Sequence, residues 1–434
     1  MQFSIVIGIL AGLFAAESTI PASDTSITWP KLVGAAITQV IVLVAAWAVT
    51  AQTRAELSGN LTSSQVIARF ISRQRLHRLV WLSAGVCVLL CFQWGSIIDQ
   101  SALAEVPLAQ QLWCLLPVFA SLIGSWAIFY DAEIALDIRL KDASRWQFTW
   151  NQMRQFLLVP LLSVIFVVAW MDGLAHFAPR LLDYQAVLGV VPLLLLTLAF
   201  PIALKRIWPT HRLGEGPLRD TLQLRSRELE FAPRDILLWR TQSRFANAAV
   251  TGVLPPLRYV LLTDRLVEQL SVCEVEMIFM HEIAHTKCRH SLKLLLAFGG
   301  SFGAIAGLVA LQREAGALGT SAVVTLTLIV MLAIACVFLC GRFARLFELQ
   351  ADLWVVKRIG TSERYLRAIA SMTGGDPDRA SWLHPSFHHR CEFLLKPLPE
   401  AARWLQLRMV LNLFSWLAWL TAVSLVAAML TDLR

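Results

Sequence analysis

Nine apolar runs divide the chain, each near or above the length of a membrane span: Met1–Ala16, Leu32–Ala51, Leu79–Ile98, Leu112–Tyr130, Phe156–Met171, Val187–Leu204, Leu292–Leu311, Val323–Cys340 and Met409–Leu430. A helix needs about 20 apolar residues to cross the hydrocarbon core of a bilayer. The first run is short and ends in FAAES, but it lacks the positive n-region of a signal peptide and reads as a retained span. Hydrophobic residues make up 57% of the 434 residues and charged residues 16%. That balance excludes an ordinary soluble globule. The sequence predicts a mostly α, polytopic membrane protein with about nine transmembrane helices.

The net charge of +8 is unevenly spread. Arg54, Arg69, Arg73, Arg75 and Arg78 follow the second run, Arg139, Lys141, Arg145 and Arg154 follow the fourth, and a long basic segment opening with Lys205 and Arg206 follows the sixth. The intervening connections hold little more than Arg180 and Arg313. This alternation keeps one phase over nine spans, which is the positive-inside signature. The surplus therefore marks the cytoplasmic face of a cell inner or plasma membrane and not a nucleic-acid partner. It predicts the N-terminus inside and the C-terminus outside. Eight cysteines are present without a C-x-x-C; the pairs 87/91 and 336/340 share helix faces and suit small apolar packing.

Three blocks follow from this pattern: residues 1–204 with six spans, residues 205–408 holding most of the polar sequence around a two-span hairpin (292–340), and residues 409–434 with a last span. Within the polar block, FANAAVTGV (245–253) and LRYVLLTD (257–264) read as two strands joined across Pro255-Pro256. NAAVTG is a run of small residues that lets a second backbone approach an open sheet edge. Thr263 and Asp264 suit the start of a short helix. Ser271 and Glu274 form a capping box, so a new helix begins there and carries HEIAH, 281–285. No breaker precedes the next apolar run, so that helix is expected to continue straight into the span.

On a helix His281 and His285 lie one turn and about 40° apart, so both imidazoles face one way, as two metal ligands must. Glu282 points to the flank, where it can hold a water. A catalytic zinc wants a third protein ligand and one open position. On an unbroken helix His290 lies about 180° around from His281, and Cys288 roughly 10 Å along it, so neither can share the ion. RFARLFELQADLW (342–354) offers Glu348 and Asp352, again four apart; one can bind metal while the other orients a histidine. The hairpin leaves the cytoplasmic face after HEIAH and returns before FELQAD, bringing the two motifs to one surface.

These blocks resemble the membrane gluzincin metalloproteases that include HtpX and the type I CAAX prenyl proteases. The resemblance covers about residues 240–395 and rests on NAAVTG, RYVLLTDRLVEQL, HEIAH, FELQAD and HPSFHHR (384–390), in that order. It implies a zincin-like α+β catalytic domain on the cytoplasmic face, binding one zinc (Zn2+) per chain through His281, His285 and Glu348. Glu282 would be the catalytic base and Asp352 the partner of a ligand. Asn247 and Ala248 would lie on the edge strand that pairs with substrate. His384 and Arg390 would approach the substrate carbonyl, although His388 and His389 are close by. His290 matches a further histidine of the prenyl-protease branch. The activity implied is an integral-membrane zinc metalloendopeptidase, with lipid around it, cutting membrane-associated, prenyl-like or misfolded protein substrates. The six-span N-terminal block matches neither prototype. A signalling receptor would need a large outside sensor, and no outside loop exceeds about twenty residues, far below domain size. An intact HExxH with Glu348 and Asp352 weighs against a scaffold or transporter with a vestigial site.

Overall fold

The computed structural model describes residues 29–434 apart from 60, 96–107, 139–143, 185–187, 242–244, 315–321, 373–382 and 433–434. The run Met1–Ala16 lies outside the described residues. The chain divides into two compact units: residues 1–211, 238–244 and 251–257 form one, and 212–237, 245–250 and 258–434 the other.

The first unit is helical, with α1 (Trp29–Leu57), α2 (Ser63–Val86), α3 (Ala109–Ala135), α4 (Arg145–Phe177) and α5 (Val190–Ile207). Thr62 and Gln65 close a capping box at the start of α2, satisfying N–H groups that a helix start leaves open. The shared core of α1, α2 and α3 holds Val42, Ala46, Phe70, Trp81, Val118 and Phe129. The opposite face of α1 exposes Val33, Ile37, Val40, Ile41, Val44 and Trp47. An apolar face of that extent is stable against lipid and not against water.

Among the described residues four helices are long and apolar enough to cross a membrane: Trp29–Leu57, Gln111–Ala135, Arg145–Phe177 and Leu398–Leu425. They contain the second, fourth and fifth predicted runs and most of the ninth. The protein is a membrane protein.

The second unit carries most of a four-stranded sheet whose order is β1 (Thr210–Arg212), β2 (Asp235–Trp239), β4 (Tyr259–Thr263), β3 (Ala248–Thr251). β3 is thus an edge. A connection as short as 252–258 allows only an antiparallel β3–β4 pair, since parallel strands need a crossover of about a dozen residues or more. The helices are α6 (Pro217–Glu228), α7 (Asp264–Gln269), α8 (Val272–Lys287), α9 (His290–Glu314), α10 (Ala322–Ile359), α11 (Ser362–Met372), α12 (Phe387–Leu394) and α13 (Leu398–Asp432). Thr263 caps α7, and Ser271 and Glu274 form the expected capping box on α8.

The expected continuation of α8 into the span does not occur. α8 ends at Lys287, Arg289 takes the left-handed conformation (φ 55°), and α9 starts afresh at His290. With neither glycine nor proline at the break, the turn is closed by backbone bonds from Cys288 to Ala284 and from Arg289 to Thr286. α10 does the opposite: the returning apolar run and FELQAD form one unbroken helix.

Candidate active site

α8 supplies His281, Glu282 and His285, and α10 supplies Glu348 and Asp352. Nε2 of His281 lies 3.0 Å from Nε2 of His285 and 3.3 Å from Oε2 of Glu348, and Nε2 of His285 lies 3.4 Å from Oε1 of Glu348. A tetrahedral zinc with bonds of about 2.0–2.1 Å sets its ligand atoms about 3.3–3.4 Å apart. Two imidazole nitrogens and a carboxylate are donors that zinc accepts, and one atom from each lies within 4.8 Å of the other two, close enough to converge on one ion. Asp352 does not join this group.

Asp352 is fully buried and sits behind His281, its Oδ1 3.1 Å from Nδ1. Tyr365 on α11 joins this pair, its hydroxyl 2.7 Å from His281 Nδ1 and donating to Asp352 Oδ1 at 2.6 Å. Arg390 on α12 completes the group: its Nε donates to Asp352 Oδ2 at 2.8 Å, and Nη2 pairs with Oδ1 and reaches the Tyr365 hydroxyl at 3.2 Å. A lone tyrosine in RYLRAIASM carries no spacing signal, so Tyr365 is not found by sequence reasoning.

The electrostatics follow from burial and these contacts. Burial opposes a charge on His281, yet the hydrogen bonds it donates to Asp352 and Glu348 outweigh it and push its pKa to about 10. The field that draws a proton there favours any cation. Burial raises Asp352 in principle, but the Arg390 charge and the His281 contact bring it down to about 2. Glu348 is held well below its usual range by its two histidine contacts despite burial. Burial pushes Glu282 up to about 7, where a carboxyl can take up and release protons near neutrality.

The remaining predicted residues divide. His384 reaches the site, with Nδ1 3.0 Å from Glu348 Oε2 and its side chain 58% exposed. His388 pairs instead with the exposed Glu392, and the His389 ring lies tilted against Trp404, centroids 6.5 Å apart. Arg390 is engaged on Asp352, behind His281. Asn247 is exposed just before β3 and is tied to β4, its O accepting from Thr263 N at 3.0 Å. In an antiparallel pair backbone groups alternate between the partner and the free side. Ala248 and Val250 therefore turn theirs to the open edge, and the Val250 N–H is donated to the Glu282 carboxylate.

His290 overturns the geometry expected of an unbroken helix. The turn at Arg289 returns it to the site, where Nδ1 is 2.9 Å from Nδ1 of His285.

The family model described as peptidase family M48 matches residues 222–398, which contain every metal-site, flanking and edge-strand residue described above. The fold is similar to the crystal structure of S. mikatae Ste24p, with a TM-score of 0.57 and 17% identity over 85% of this chain and 99% of that one. No curated protein matches the sequence.

Proposed function

We propose that this membrane metallopeptidase, whose residues 222–398 match the peptidase family M48 model, is a zinc endopeptidase, one ion per chain, whose ligands are His281, His285 and Glu348. One observation carries the reading: His281, His285 and Glu348 bring three donor atoms within 4.8 Å of one another, beside a carboxyl raised to about 7. A zinc ion held there supplies a Lewis acid for the scissile carbonyl and lowers the pKa of a bound water to about 7. Glu282 takes the proton of the attacking water and delivers it to the leaving amine. His384, whose pKa is raised by its Glu348 contact, offers a proton to the oxyanion that develops on the carbonyl. Arg390 acts through Asp352, keeping the carboxylate charged behind His281.

The alternation of basic connections supports an active site on the cytoplasmic side. Substrates are proteins or peptides at the membrane, prenyl-like or misfolded, held as an added strand on β3 with Asn247 and Ala248 at its start. Two measurements on one set of cells test the whole reading. Glu282→Gln should keep its metal but lose several orders of magnitude in turnover, because an amide cannot accept the water's proton. Membrane-protein fragments unchanged between Glu282→Gln and parental cells would sink it. A reporter fused after Gly216 should behave as cytoplasmic, and an external signal would reverse the topology.

The register directs the strand-addition test to Ala248, whose N–H faces the open edge, and away from Ala249, whose N–H belongs to the ladder. Ala248→Pro should raise KM about tenfold or more by removing an outward donor while zinc content stays intact. An unchanged KM in a folded, metallated variant would mean that substrate does not pair there.

A further inference from the structure

The two histidines of the motif differ in what lies behind them. His281 is backed by a carboxylate and a tyrosine, His285 by another histidine. His285 Nδ1 lies 2.9 Å from His290 Nδ1, and His290 Nε2 lies 2.9 Å from Gln350 Oε1. His290 is buried at 2% exposure and stacked on Phe347, rings 4.5 Å apart and 5° from parallel, so its orientation is locked.

With the oxygen of the Gln350 amide turned to His290, this chain has one consistent order of protons. Two neutral imidazoles meeting through Nδ1 must be one donor and one acceptor. An amide oxygen only accepts, so His290 carries its proton on Nε2, toward Gln350. Its Nδ1 is then a bare lone pair and must accept the Nδ1–H of His285. A neutral ring has one proton, so Nε2 of His285 is left bare and faces His281 and Glu348. That is the tautomer a metal ligand needs. Gln350 lies two residues beyond Glu348 on α10, so the helix that supplies one ligand also sets the proton order of another.

We propose that His290 and Gln350 are positioning residues that fix His285 in the Nδ1–H tautomer and so present its Nε2 lone pair to the metal. The inference rests on the reading of His285 as a ligand. The break at Arg289 then has a purpose: only a chain turned there brings His290 back onto His285.

The test is zinc affinity of the purified full-length protein in detergent, measured by competition with a chelator. Removing a partner behind a ligand typically weakens metal binding about 10–100-fold, and that loss is expected for His290→Leu and Gln350→Leu. His290→Asn keeps an acceptor oxygen where Nδ1 stood, and Gln350→Glu keeps the acceptor at the far end. Both should stay within about threefold of the parent, since the proton order survives. Gln350→Lys, a donor at a half-buried helical position, reverses the order and should fall as far as the leucine variants, which keeps the test open if those fail to fold. Leucine and lysine variants at parental affinity would overturn the proposal. So would asparagine and glutamate variants as weak as leucine, which would point to packing alone. His285→Ala separates the two levels: if it retains zinc, the ligand set itself is wrong, whereas loss of zinc there with no effect at His290 or Gln350 removes only the relay.

Discussion

Each unit of this protein buries a histidine almost completely, His77 in the first (3% exposed) and His281 in the second (7% exposed). Both rings sit among helices and both have hydrogen-bond partners. Those of His77 are a backbone carbonyl, Val42 O at 3.1 Å, and a hydroxyl, Ser125 Oγ at 3.3 Å, with Phe129 edge-on at 5.0 Å. Those of His281 are two carboxylates, a phenol and a second histidine, brought in by α8, α10 and α11. Neutral dipoles satisfy the buried His77 ring at little cost. Two carboxylates create a negative field that needs a cation, and folding would not assemble one for stability alone, since buried charge costs several kcal/mol per ion before pairing. The partners separate structure from chemistry, and burial does not.

The comparison breaks most visibly at His281, the ligand proposed above. His281→Leu should lower zinc in the purified protein to background, because two of three donors cannot hold a catalytic site closed. Zinc retained in full would mean that the carboxylate field has another purpose. A smaller effect sharpens it. Asp352→Asn keeps an oxygen near His281 Nδ1 and the Tyr365 hydroxyl but removes the charge that Arg390 faces. The expected result is zinc bound about 10–100-fold more weakly by chelator competition, the usual penalty behind a ligand. Parental affinity would show that Asp352 serves only to anchor Arg390.

Much of this site was legible because it is written in short-range signals. The capping box of Ser271 and Glu274 sets where α8 starts, and with it the phase that aligns His281 with His285. The hairpin of apolar runs brings Glu348 and Asp352 back. The antiparallel pairing of β3 with β4 follows from a short connection, while its place at the edge is set by the sheet order. What the sequence hid has physical reasons. The break at Arg289 uses a non-glycine left-handed residue, which costs roughly 1–3 kcal/mol and persists only where surrounding contacts hold it. The candidates for that role are the contacts of His290 with His285, Gln350 and Phe347, none of them local in sequence. Tyr365 and the tie of Arg390 to Asp352 depend in the same way on how α11 and α12 pack. The nine apolar runs gave the class of the protein readily; four helices meet the criteria for a span among the described residues.

The smallest expected effect is on the other side of the comparison, and it is the most discriminating. His77→Leu replaces a buried polar ring by an apolar side chain of similar size. The Val42 carbonyl lies inside α1 and keeps its helical partner. The Ser125 hydroxyl already donates to Ser121 O at 2.7 Å. No orphaned group is left behind, so the large penalty for an unsatisfied buried donor or acceptor does not apply. What is lost is one modest hydrogen bond, of about 1 kcal/mol, and the edge-on contact with Phe129. Additional apolar contact offsets part of both. Thermal unfolding in detergent should therefore move by only a few degrees, a shift of about 1 kcal/mol in a protein of this size. Zinc per chain and turnover should match the parent. A variant that folds but loses zinc or activity would show that a neutral, satisfied histidine in the membrane block still reaches the chemistry, and the criterion of charged partners would fail with it.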